Sequence, residues 1–253
     1  MLTFPSPIFL TEWDIFNLAI QALLQGVNPY TIGTGQFRFF NPVWTLFFLS
    51  PFSLFQNKWI AMLAMGLVSI IVFMLVSKKF KIGLLGFLLI ALSPMHLYSM
   101  AWGNIAWLPW IGVLVSPWLG MLFLATKPQA TLVVMLVTVL KQWDRYKLLG
   151  VIKTVLPIAI VTLITVGIWG LPTLPDVEAN VGNVSLFPYS LVLGIPALIY
   201  ALVKRDLRWA SFATPFLMPY SCYHGFIGIL FPFSGLAMLP VWIISAISAV
   251  TLF

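Results

Sequence analysis

WIAMLAMGLVSIIVFMLVSKKFK, residues 59–81, decides the class of this protein. Its first part, 59–77, carries no charge at all. About 20 consecutive apolar residues in a helix cross the hydrocarbon core of a bilayer, so the run reads as a membrane span. Lys78, Lys79 and Lys81 close it at once. Basic residues next to a span mark the cytoplasmic end, so this span is read as running inward. The pattern recurs along the chain. Hydrophobic residues make up 61% and charged residues 8%, against roughly 25% charged in an average soluble domain. The apolar runs are continuous, without a period of two, which argues against a β-barrel. The expected fold is all-α, a polytopic integral membrane bundle in a single domain over 1–253. It should hold about 8–10 short transmembrane helices broken by proline.

Two further basic clusters set the topology: Lys141, Arg145, Lys147 and Lys153, then Lys204, Arg205 and Arg208. With all three clusters cytoplasmic, residues 11–58 are external. Residues 43–55, with Pro51, are too short to span and read as a membrane-dipping arm. Residues 82–97 return outward, and HLYSMAWGN (96–104) is read as an outer loop. Three short helices are expected over 105–115, 117–126 and 128–140, turning at Ser116-Pro117 and Lys127-Pro128. Spans over 154–170, 186–203 and 209–223 follow, and 226–253 holds one or two more. The net charge of +7 sits in short loops and marks orientation, so no nucleic-acid partner is expected. Cys222 is the one cysteine, which leaves no disulfide framework and no cysteine-based metal site. The opening MLTFPSPIFL has no basic segment or cleavage signature, so no cleavable signal peptide is expected.

The one long stretch suited to water is TEWDIFNLAIQALLQGVNPYTIGTGQFRFFNP, residues 11–42. Thr11 and Asp14 have capping-box spacing and start a helix. Asp14, Asn17, Gln21 and Gln25 fall on one face, with Ile15, Leu18, Ala19, Ala22 and Leu23 on the others. Gly26 suits the stop, and Asn28-Pro29 prevents continuation. The expected element is an amphipathic juxtamembrane helix lying on the membrane surface in the first external loop. A loop carrying Tyr30, Gly33, Gly35 and Arg38 follows it.

The external side collects most of the candidate chemistry: Glu12, Asp14, Arg38, His96, Asn104, Lys127, Asp176, Glu178 and His224. Asp14 reads either as a helix cap or as a general base. Lys127, between apolar residues and Pro128, is costly at membrane depth. It either pairs with an anion or snorkels to the headgroups. Arg38, among Phe37, Phe39 and Phe40, either grips a phosphate through its fork of donors or anchors the loop at the interface. His224 reads as a packed or a catalytic histidine. Asp176 and Glu178 read as a solvated loop. His96 and His224 lie far apart without a carboxylate pattern, so no metal site is expected.

Several of these stretches resemble the GT-C class of membrane glycosyltransferases, and within it the polyprenol-phosphate-mannose-dependent family 87. DIFNLAIQALLQGVNPY (14–30), FNP (40–42) and the Pro51-Phe52 turn are similar to the family's first external loop. GNIAW (103–107), GMLFLATKPQ (120–129) and MPYSCYH (218–224) resemble its later stretches. Asn104 stands where the family has glutamine. The family carries a transmembrane helix ahead of the external aspartate, where only thirteen residues stand here, so against the resemblance either the chain is truncated, its start is misassigned, or a short tail is translocated directly. It further implies an inverting hexosyltransferase of the cell envelope without a cofactor. Its donor is a polyprenyl-phosphate sugar, mannose first among the hexoses, and its acceptor an extracytoplasmic glycan or glycolipid. Asp14 takes the role of base, and Lys127, Arg38 and His224 hold the donor phosphate. Glu12, Asn17, Tyr30 and Asn104 are further site candidates. The rival reading is a transporter or flippase subunit for a lipid-linked or small polar solute, since a proline-broken bundle with a buried lysine suits that too. A third is a non-catalytic relative.

Overall fold

The computed structural model describes residues 11–33, 38–171 and 183–252. Asp176 and Glu178 therefore lie outside the described residues. All regular structure among the described residues is helical. Helix α1, Glu12–Leu24, starts on a complete capping box: Thr11 N–H donates to Asp14 Oδ2 at 2.7 Å, and Asp14 N–H to Thr11 Oγ1 at 3.4 Å. Its end is closed by Gly26 at φ +72°, and Val27 N–H reaches back to the Ala22 carbonyl. Only glycine takes that φ without a Cβ penalty. The helix does not rest on the surface of the molecule by its apolar side. Trp13, Phe16, Ala19 and Ile20, three or four apart, are buried in the main core. The aromatic residues thus choose the buried face, and Ile15 and Leu18 sit at its margins.

A short helix α2, Trp44–Leu49, and the 3-10 turn Ser50–Leu54 lead to α3, Lys58–Phe80. Helices α4, Gly83–Ala91, and α5, Pro94–Ala101, form one line bent by 44°. The expected outer loop over 96–104 is thus mostly helix. Ser93 caps α5 by accepting from His96 N–H, and Pro94 opens it. Ser-Pro at that spacing starts a helix rather than ending one. His96 is buried, within 2.7 Å of Ser69 Oγ and of the Ala91 carbonyl, and ties α5 to α3.

The expected helix over 105–115 is instead a 3-10 turn, Leu108–Trp110, followed by the single turn α6, Ile111–Leu114. Pro109 lacks the N–H a regular helix needs there. Helix α7, Pro117–Leu124, packs on α6 through Gly112 and Gly120, where a Cβ on either would collide with the other's carbonyl. Helix α8, Pro128–Trp169, runs where two separate spans were expected. It breaks only at Lys147, at φ 51° and ψ −141°. Both its ends return to the α1 side: Lys127 contacts Asn104, and the Trp169 carbonyl accepts from Asn28 Nδ2 at 2.9 Å. The limbs on either side of Lys147 therefore form a helical hairpin with its tip at the second basic cluster. Helices α9, Leu191–Lys204, and α10, Leu207–Leu217, make the next hairpin. A 3-10 segment, Tyr223–Leu230, and α11, Leu239–Leu252, follow.

Among the described residues two helices, α3 and α8, can by length and composition cross a membrane, or three counting the bent α4–α5 pair. That is fewer than the eight to ten spans expected. Pro94, Pro109 and Pro117 stand at the starts of short elements and Pro128 opens α8, so apolar runs that look continuous in sequence are divided in space.

The molecule has two chemically distinct ends. Lys58, at the start of α3, pairs with Asp14. Lys79, near its other end, donates to the Val113 carbonyl. The two are roughly 30 Å apart at about 1.5 Å per residue. Lys81, Lys147 and Arg205 are the non-glycine residues with positive φ among those described. All three belong to the basic clusters, and a left-handed conformation costs an L-residue about 1–2 kcal/mol.

Candidate functional site

The site is assembled where α1 docks on the end of α5. Glu12 N–H donates to the Trp102 carbonyl at 3.0 Å. Gly103, at φ +63°, lets Trp13 approach: a Cβ there would strike the Trp13 side chain. This contact brings Glu12 against Asn104, whose Nδ2 donates to Glu12 Oε2. Asn104 Oδ1 in turn accepts from Lys127 Nζ at 2.8 Å. Lys127 stands in the turn between α7 and α8, which Asn41 braces by donating to the Thr126 carbonyl at 3.0 Å. Lys127 Nζ lies 2.9 Å from His224 Nε2.

Asn104, Lys127 and His224 are 2%, 5% and 4% exposed. Such groups are tolerated in an interior only when paired and hydrogen-bonded. Glu12 stands at the mouth, with 34% of its side chain exposed. As an ammonium, with three donors and no acceptor, Lys127 donates to His224 Nε2, and the imidazole proton then sits on Nδ1. That Nδ1 is buried, has no hydrogen-bond partner among the described residues, and lies 3.9 Å from Glu12 Oε1. Tyr98 stacks on the imidazole with ring centroids 6.3 Å apart and planes 13° apart. Burial pushes the Glu12 carboxyl above its ordinary 4.5, and the Lys127 charge and the Asn104 hydrogen bond pull it back.

Four of the residues singled out in the sequence thus converge: Glu12, Asn104, Lys127 and His224. The others take separate places. Asp14 accepts from Thr11 and from Lys58 Nζ at 3.2 Å, all outside this cluster. Asn17 lies along the same helix, with a buried Oδ1 that has no partner among the described residues. Tyr30 bonds the Val43 backbone and stacks on Phe39 at 5.7 Å. Arg38 is half-buried on the loop that Phe39 pins to α1. Tyr98 and Cys222, which sequence reasoning did not single out, stand close enough to Glu12 to feel its charge. Its place in the segment MPYSCYH (218–224) was the only local signal for Cys222, and Tyr98 had none.

Chemically, the cluster offers a carboxylate at an open mouth, a buried cation behind it and an imidazole N–H between them. Among the described residues no three or more of His, Cys, Asp and Glu converge as metal ligands. No protein-family model, curated protein or solved structure matches this chain.

Proposed function

We propose that this chain is a polytopic membrane glycosyltransferase that moves a hexose, mannose by the resemblance, from a polyprenyl phosphate to an acceptor on the extracytoplasmic side. The observation that carries the reading is the convergence of Glu12, Asn104, Lys127 and His224 from four distant segments at the end remote from the basic clusters. Basic clusters favour the cytoplasm, so the cluster faces outward.

In this reading an acceptor hydroxyl lies between Glu12 and His224. It donates to Glu12 Oε1 and accepts from the His224 Nδ1 proton. Its oxygen attacks the anomeric carbon from the face opposite the phosphate. The bond between that carbon and the phosphate oxygen breaks, the electron pair leaves with the polyprenyl phosphate, and Glu12 takes the hydroxyl proton. Configuration inverts. Lys127, which has one donor beyond those given to Asn104 and His224, neutralises charge on the leaving phosphate. A raised carboxyl pKa brings a general base nearer neutral pH, where it is most effective. The resemblance gives the role of base to Asp14. The geometry favours Glu12, because it shares the cluster with Lys127 while Asp14 is engaged by its cap and by Lys58.

The test is release of polyprenyl phosphate from a polyprenyl-phosphate sugar by the purified chain in detergent. Glu12→Gln should lower turnover about 10²–10⁴-fold, the usual worth of a general base. Asp14→Asn should retain it. The reverse result returns the base to Asp14. Wild-type protein that moves the lipid-linked sugar across a vesicle bilayer without cleaving it is a transporter, and the reading fails.

A further inference from the structure

The three basic clusters do not only mark one end of the molecule. They converge on one pocket of about 370 Å³. Lys79 and Lys81 come from the end of α3, Lys141 from the first limb of α8, and Lys204, Arg205 and Arg208 from the α9–α10 turn. Asp206 also lines it. Orientation in a membrane needs only that basic residues be on one side. It does not need cations from three segments to face a shared concavity.

The pairing within the pocket narrows what it suits. Arg205 is forked onto Asp144, at 2.7 and 3.4 Å, and Arg208 onto Asp206, at 3.1 Å. Six cations thus meet two carboxylates, leaving an excess of four. Both guanidinium forks, which suit carboxylate and phosphate alike, are taken. Lys81, Lys141 and Lys204 make no ion pair among the described residues. Ammonium groups act as point charges with three rotatable donors, which suits the oxygens of a phosphate. Two of the lining cations, Lys81 and Arg205, also hold left-handed positions that close helices α3 and α9. Glycine is the usual residue there. Charge is kept where backbone preference opposes it.

We infer that this pocket is an anion site for a phosphate-bearing group, remote from the Glu12 cluster. At roughly 30 Å³ per water it has room for about twelve waters, more than one phosphate needs. Phe80 and Leu207 add apolar lining beside the cations. The occupant is a phosphate with attached structure, from an anionic phospholipid headgroup or from a free phosphorylated solute. Sugar transfer at the other end is not a premise of this inference.

The experiment uses the full chain purified in zwitterionic detergent. One arm titrates phosphatidylglycerol, with phosphatidylcholine as control, and counts retained lipid by native mass spectrometry. The other titrates inorganic pyrophosphate and reads bound ligand calorimetrically. The variant K81Q/K141Q/K204Q removes the unpaired cations, all of which are exposed. The control K78Q/R145Q/K153Q removes equal charge from outside the pocket lining. Anionic binding should fall roughly a hundredfold in the first variant, given the known worth of a basic residue near an anionic headgroup. It should fall far less in the control. Binding in the lipid arm alone assigns a headgroup, and binding of pyrophosphate assigns a free anion. Equal losses in the two variants, or no preference for either anion over phosphatidylcholine in the wild type, overturns the site.

Discussion

Glu12 and Asp14 stand two residues apart at the start of α1, yet face different partners. Asp14 closes the capping box and pairs with Lys58, whereas Glu12 joins Asn104 and faces Lys127 and His224. Asp14→Asn should therefore cost only about 0.3–1 kcal/mol, the ordinary benefit of a carboxylate at a helix start, with unchanged donor binding. Thermal unfolding and lipid titration on one sample check both. Lys127 should behave otherwise. Lys127→Ala removes the buried cation and should weaken donor binding strongly, and Lys127→Arg less. Equal donor affinity in wild type and Lys127→Ala ends its assignment to the phosphate. The pH response follows from Glu12. Its carboxyl is raised above 4.5, so it becomes a base only above that raised value. Turnover should rise with pH through a limb displaced above 4.5, and the limb should disappear in Glu12→Gln. A limb that persists unchanged in that variant belongs to another group.

Among the elements, α1 positions the site through its buried aromatic face. Trp13 is 1% exposed and rests on Gly103, the residue before Asn104. Trp13→Ala should cost about 3–5 kcal/mol, as other large core truncations do, and should separate Glu12 from Asn104. Loss of stability together with donor binding is the expected result, read by denaturation and titration. Capping spacing made the start and end of this helix legible in the sequence. Its buried face was less so, because Ile15, Leu18 and Leu23 compete with Trp13, Phe16 and Ile20 in any apolar stripe. The α8 hairpin was legible only in part. A basic loop was expected, but the chain stays helical through it and turns at Lys147 in a conformation suited to glycine. Lys147→Gly should raise stability by about 1 kcal/mol, visible as a higher unfolding temperature. A lower one would mean that the lysine makes a contact worth more than its strain.

At the scale of the whole molecule, the ends differ in kind. One carries the neutralised cluster at Glu12, and the other an excess of positive charge around a pocket. With Cys222 replaced by serine, a cysteine at exposed Gln25 should be labelled in intact cells by an impermeant reagent. A cysteine at exposed Lys153 should be labelled only after permeabilisation. The opposite pattern would put the Glu12 cluster in the cytoplasm, away from any external acceptor.

The sequence by itself determined the helical class, the apolar span over α3, the capped start of α1 and the basic character of one end. Each of these is a local property: an uncharged run, a spacing of three residues, a cluster of lysines. Only the tertiary structure decided that Glu12 rather than Asp14 meets Lys127, and that Tyr98 stacks on His224. It also decided that three basic clusters share one pocket. Those facts depend on which segments dock together. The docking rests on close approaches at Gly103 and at Gly112–Gly120 and on a backbone reversal at Lys147, none of which leaves a periodic signal in the chain.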